Sequence, residues 1–148
     1  MPAEDDVARL GALVGELHRL LRRSASRRAD RTPLPEAQVE LLLLVRARPG
    51  ISGRDAARRL CTAPNTISTL VRDLTDAGLL ARERDPEDRR VVRLHLTDAA
   101  RDRMADHERH RTALLAAALA DLPAADRAAV LAAVPALGHL LDALPATS

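Results

Sequence analysis

Residues 59–97, RLCTAPNTISTLVRDLTDAGLLARERDPEDRRVVRLHLT, decide the fold. Pro64 opens an amphipathic run, because proline is favoured in a first helical turn, and Ile67, Leu70, Val71 and Leu74 follow at the spacing of one buried stripe. Gly78 is the natural stop, since a helix commonly ends on a residue with left-handed backbone geometry. Beyond it, LLARER and VVRLHL alternate apolar and polar residues at period two around DPEDR, the pattern of a two-stranded hairpin.

Working outward, SGRDAARRL upstream predicts a helix of about two turns, with Ser52 and Asp55 as a variant capping box and Ala56, Ala57 and Leu60 facing inward. The CTA connection joins it to the Pro64 helix, so the pair reads as a helix-turn-helix. Before it, PLPEAQVELLLLVRARPG predicts a short, deeply buried helix starting near Pro35 and Glu36 and ending at Pro49-Gly50. Leu10, Leu13, Val14, Leu17, Leu20 and Leu21 mark a first helix with one apolar stripe, followed by RRSASRRAD. Downstream, Thr97 caps a long fifth helix, and Pro123 marks the turn into a sixth that Pro135 should kink. The expected fold is mainly α with a small two-stranded β-wing, a winged helix-turn-helix carrying N- and C-terminal dimerisation helices. Its expected parts are an N-terminal dimerisation helix over 1–33, a winged helix-turn-helix region over 34–96 and C-terminal dimerisation helices over 97–148.

Composition narrows the setting. Apolar residues make up 47% of 148, yet Phe, Tyr and Trp are absent, so the core must come from Leu, Val, Ile and Ala. Alanine-rich helices each bury little area, which favours helices shared between subunits. The net charge of +2 conceals an asymmetry: residues 46–96 hold eleven Arg against seven acids, residues 1–45 balance seven against seven, and residues 97–148 hold five against seven. A positive middle third suits a polyanion. The single cysteine, Cys61, excludes an internal disulfide and fits a reducing compartment. The start MPAEDDVARL lacks the basic and apolar regions of a secretory signal, and LLLLV at 41–45 is far too short to span a membrane. A cytoplasmic protein without a membrane partner is expected.

The stripe turned inward leaves Asn65, Thr66, Ser68, Thr69 and Arg72 facing out. These are short hydrogen-bonding side chains with one guanidinium, suited to base edges and phosphates in a major groove. At the hairpin tip, Arg89 and Arg90 could enter an adjacent minor groove, where negative potential concentrates. Asp85 and Asp88 read as supports that fix the arginines or the loop rather than as a metal site.

With those residues in hand, 34–101 resembles the MarR family (multiple antibiotic resistance regulators) of bacterial winged-helix transcription factors. The resemblance rests on LPEAQVELLLLVRARPGIS, then DAARRLCTAPNTISTLVRDLTDAGLLAR, then RDPEDRRVVRLHLT as the wing. It implies a homodimer of interdigitating terminal helices on double-stranded DNA with a pseudo-palindromic operator. It also implies a regulator, a repressor in this reading, whose affinity is controlled by a small anionic or apolar molecule or by an oxidant. Arg90 sits where relatives carry the minor-groove arginine, and Arg89 is next to it. Three departures matter. Thr69 stands where Arg is frequent, Arg72 where an acid is frequent, and Val39 where an aromatic is common, so no operator is borrowed and no aromatic-lined pocket is expected.

Other chemistry is weaker. Cys61 could sense oxidants beside the recognition helix, but a small buried thiol is the commoner case. His107 and His110, with Asp106, Glu108 and a distant His18, could bind metal, yet they equally suit solvated pairing, and no metal or cofactor is assigned. No glycine-rich phosphate loop or nucleophile elbow points to an enzyme. The leading effector is a small organic anion in a cleft between dimer helices and winged motif. A metal- or thiol-responsive regulator of the same fold is the alternative, ahead of a helical interaction module without DNA binding or a small hydrolase.

Overall fold

The computed structural model describes residues 1, 3–26 and 32–145. Part of RRSASRRAD, at 27–30, lies outside them. The elements are α1 (Glu4–Ser26), α2 (Glu36–Ala47), β1 (Ile51–Ser52), α3 (Gly53–Arg59), α4 (Pro64–Asp76), β2 (Leu80–Arg84), β3 (Val92–Leu96), α5 (Asp98–Asp121), α6 (Ala124–Ala132) and α7 (Val134–Ala143). They form two compact units: residues 1–33 with 107–121, and residues 34–106 with 122–148.

The second unit holds the whole buried core found among the described residues. Leu41, Leu42 and Val45 of α2 meet Ala56 and Ala57 of α3, Ile67, Val71 and Leu74 of α4, then Ile51, Leu79, Leu80, Leu94, Leu96 and Ala100. Small alanines on α3 let helices approach closely where a larger side chain would overpack. Ser52 caps α3 by accepting from the Asp55 N–H at 3.1 Å. Its hydroxyl donates back to the Asp55 carboxylate at 3.0 Å. The α4 stop is a Schellman turn: Gly78, at φ +72°, donates to the Thr75 carbonyl and Leu79 to that of Leu74. Thr97 then ties the wing to α5, donating to the Gly78 carbonyl at 2.7 Å and accepting from the Ala100 N–H.

Two expectations change. The two-stranded β2–β3 wing is present as expected, but β1 adds a third strand beside it, giving a three-stranded antiparallel sheet in the order β1-β3-β2, with Ile51 opposite Leu94 and Leu80 opposite Leu96. Two residues were too few for a period-two pattern to register. The expected kink at Pro135 is a one-residue break at Ala133, which separates α6 from α7. Proline has no N–H to give the preceding turn, and Pro135 sits in the tolerant first turn of α7.

The first unit contains α1 and the later part of α5. Arg19 pairs with Glu16 along α1, and His110 Nε2 lies 3.3 Å from Ser24 Oγ. The α1 stripe is exposed, from Val7 through Leu10, Leu13, Val14 and Leu17 to Leu20. In the other unit, α6 and α7 likewise expose Val130, Leu131, Val134, Leu137, Leu140 and Leu141. The stretch Ala124–Ala143 is long and apolar enough to cross a membrane by length and composition, which a reading centred on LLLLV overlooked. It also carries Asp126, Arg127 and Asp142 and is broken at Ala133.

Candidate nucleic-acid interface

The proposed reading face is α4. Its hydrophobic stripe seats the helix on α2, α3 and β2, so Asn65, Thr66, Ser68, Thr69 and Arg72 are all exposed together on the opposite side. Ser68 Oγ donates to the Pro64 carbonyl at 3.0 Å and Thr69 Oγ1 to the Asn65 carbonyl at 3.1 Å. Arg72 lies 3.7 Å from the carboxylate of its neighbour Asp73, a loose surface pair that salt would screen.

The wing tip is built on carboxylates. Asp85 Oδ1 accepts from the N–H groups of Glu87 and Asp88, at 2.8 and 3.0 Å, which folds the turn around Pro86. Its other oxygen takes both Nε and Nη2 of Arg93 at 2.8 Å. Arg93 Nη1 continues to the Gly50 carbonyl at 3.4 Å. The loop is thus anchored through β3 to the α2–β1 turn, where Gly50 has φ +83°. Asp88 Oδ1 accepts from the Arg90 N–H at 3.0 Å, and the Asp88 carbonyl accepts from Val91. Asp88 therefore fixes the backbone of Arg90, and Asp85 holds the side chain of Arg93. Among the described residues, the guanidinium groups of Arg89 and Arg90 have no carboxylate partner, and both are exposed. The Asp85–Arg93 clasp was missed in sequence because its partners face each other only once the hairpin register is known.

The Asp88 N–H, then Arg93, then the Glu87 N–H hold the Asp85 carboxyl below the usual carboxylate range. A group whose folded pKa is depressed stabilises above its unfolded value, and that contribution is lost as pH falls through the folded value. Wing order should therefore persist under mildly acidic conditions and fail at pH below the ordinary aspartate range. Amide exchange at Glu87 and Asp88, followed against pH, checks this; protection unchanged throughout the acid range would contradict it.

Cys61 is exposed, not buried, because the tight α3–α4 turn holds it at φ +47° and keeps its side chain off the core. His107 and His110 share the later part of α5. Partial burial, then the nearby charges of Arg111 and His110, hold His107 below the ordinary histidine range, and protonation there opposes folding. Among the described residues, no three His, Cys, Asp or Glu side chains converge as a metal set. An open depression of about 460 Å³ in the winged unit is lined by Arg48, Pro49, Gly50, Ile51, Asp55, Arg58 and Arg59. Asp55 is engaged by Arg58 at 2.9 Å, which leaves Arg48 and Arg59 without a carboxylate partner among the described residues.

A short helix pair packed on a three-stranded sheet, with a polar second helix beside an arginine-tipped hairpin, defines the winged helix-turn-helix class. Residues 34–92 match the MarR family. The chain is 34% identical over 142 residues to an uncharacterized protein of Mycobacterium tuberculosis, covering 96% of each. It is 26% identical over 96 residues to the uncharacterized HTH-type transcriptional regulator YdgJ of Bacillus subtilis, a match spanning 65% of this chain and 58% of that relative. Among solved structures, a putative transcriptional regulator from Pseudomonas aeruginosa superposes with a TM-score of 0.80 at 27% identity, covering 95% of this chain and 98% of that one. Streptococcus pneumoniae FabT, solved in complex with DNA, shares the fold with a TM-score of 0.68 at 19% identity over 94% of this chain and 99% of that one. The chain belongs to the MarR family and is a DNA-binding transcriptional regulator. Its family and fold are those of regulators rather than enzymes.

Proposed function

We propose that the protein is a homodimeric, sequence-specific repressor acting in the cytoplasm, released from its operator by a small organic anion. One observation carries the DNA-reading part: the exposed polar face of α4 and the unpaired Arg90 belong to one unit with a shared core, so one fold presents a groove-reading helix and a minor-groove arginine together. Asn65, Thr66, Ser68, Thr69 and Arg72 read the major groove, Arg89 and Arg90 engage the wing side, and Asp85 and Asp88 support them. Support for the same use of the fold comes from FabT, whose structure is a DNA complex. The terminal helices 1–33 and 97–148 supply the dimer contacts, because their exposed leucine and valine stripes exceed what a soluble monomer ordinarily leaves in water. The anion class is favoured by the basic rim of the 460 Å³ depression, a different place from the inter-helix cleft expected from architecture. Zinc or thiol oxidation at His107, His110 or Cys61 is a second route, favoured for the thiol by its exposure.

Selection of bound sequences from a random DNA pool tests the reading. The expected winner is a pseudo-palindrome with half-sites about 10 base pairs apart, and inserting about five base pairs between them should abolish tight binding by rotating one half-site to the far face. Repeating the selection with aromatic and aliphatic carboxylates, and with chelator, tests the effector. An inducer must bind the DNA-free state more tightly, since equal affinity shifts nothing. Failure to enrich any sequence, or affinity indifferent to the insertion, would overturn the proposed dimeric operator.

A further inference from the structure

The hydroxyls on the α4 face are not equivalent. Ser68 and Thr69 each give their one proton to a carbonyl four residues back. Thr75 does the same towards Val71 at 2.6 Å, so this back-bonding recurs along the helix rather than occurring once. A hydroxyl has one donor and two acceptor lone pairs, so Ser68 and Thr69 reach outward as acceptors only. The hydroxyl of Thr66, by contrast, has no such bond among the described residues and keeps its proton. Arg72 is a pure donor, and Asn65 carries both kinds of group.

The major groove offers complementary chemistry. Cytosine N4 and adenine N6 are donors, whereas guanine O6 and N7 and thymine O4 are acceptors. An acceptor-only hydroxyl meeting guanine or thymine would set lone pair against lone pair. We infer that Ser68 and Thr69 determine specificity by accepting from an exocyclic amino group, cytosine N4 or adenine N6, and by rejecting guanine and thymine at the edges they face, while Arg72 selects guanine. The bond to the Asn65 carbonyl also fixes χ1 of Thr69, so the acceptor is presented at little entropic cost on binding. This inference rests on the DNA-reading role of α4 proposed above and adds the chemical class of base edge that each hydroxyl accepts.

The test uses the intact 148-residue chain. Pool selections with wild type, Ser68→Ala and Thr69→Val identify the positions whose preference each variant loses; valine keeps the shape of threonine and removes the oxygen. Those positions should be adenine or cytosine in the wild-type consensus. Replacing such an adenine with purine, which lacks N6, should weaken wild-type binding by about three- to tenfold, the scale of one neutral hydrogen bond, and leave the matching variant unaffected. Cytosine positions are probed in the same way with 2-pyrimidinone. Loss of a guanine or thymine preference in either variant, or equal sensitivity of wild type and variant to the missing amino group, overturns the inference while leaving DNA binding by α4 intact. Selections that enrich no sequence overturn the underlying reading instead.

Discussion

A Leu141→Asp substitution in α7 is expected to leave the protein monomeric at micromolar concentration and to abolish tight operator binding, whereas Leu141→Met leaves both intact. Leu141 is 69% exposed in the single chain, and Leu131, Val134 and Leu144 are each more than half exposed. None of the fully buried side chains found among the described residues comes from α1, α6 or α7. These helices therefore have an apolar face with no cover inside their own unit, and the proposed two-fold interface would cover it with the same patch of a second copy. Symmetry doubles the effect of one substitution, since each dimer acquires two carboxylates. At several kcal/mol per desolvated ion, dimerisation should weaken by roughly four orders of magnitude or more. Methionine conserves volume and apolar character and is tolerated. Sedimentation, circular dichroism and operator binding decide together. The variant should keep its helical signal, because the core of the winged unit lies between Leu41 and Ala100. A folded variant that still sediments as a dimer and binds its operator would put α7 outside the interface. Flotation of the wild-type protein with lipid vesicles, in place of self-association, would assign the apolar Ala124–Ala143 face to a bilayer.

How far the sequence foretells this molecule depends on the reach of each interaction. The α4 stripe, the Gly78 stop, the Ser52 cap and the Thr97 cap are local, involving residues within one or two turns, and all are present as expected. Strand β1 escaped because it exists only through pairing with β3, some forty residues away. The exposure of Cys61 escaped because composition speaks for burial, whereas a left-handed backbone in the α3–α4 turn decides otherwise. For the candidate interface, residue identity and outward direction on α4 follow from periodicity alone. Which protons those side chains have left to offer does not, since it depends on rotamers that only coordinates reveal. The acids at the wing tip were legible as supports, but their division of labour was not: Asp85 binds the loop to Arg93, and Asp88 binds the backbone of Arg90.

That division makes the response to substitution of the two wing aspartates, though not of Arg90, opposite to what net charge predicts. Arg90→Ala should lower affinity for nearly every operator variant by about 10- to 100-fold, with the salt dependence shallower by about one counterion and the major-groove consensus unchanged. The reason is that the minor groove mainly distinguishes A·T from G·C and attracts arginine through its potential. Asp88→Ala and Asp85→Ala each remove a negative charge near the phosphate backbone, and long-range electrostatics alone would tighten binding. The geometry predicts weakening. Without Asp88 the Arg90 N–H loses its carboxylate, and the turn that aims Arg90 is released. Without Asp85 the loop loses two N–H bonds and the Arg93 clasp that runs on to the Gly50 carbonyl, so this variant should weaken binding more than Asp88→Ala. Asp85→Asn separates the two effects: its amide oxygen can still accept from the loop N–H groups, but the charged clasp to Arg93 is gone, so its affinity should fall between wild type and Asp85→Ala. Measured on a randomised operator library at two salt concentrations, the expected order of affinity is wild type, then Asp88→Ala, then Asp85→Ala. Tighter binding by either aspartate variant would mean that the wing acts as a diffuse charge, and an altered central consensus with Arg90→Ala would mean that this arginine reads the major groove instead.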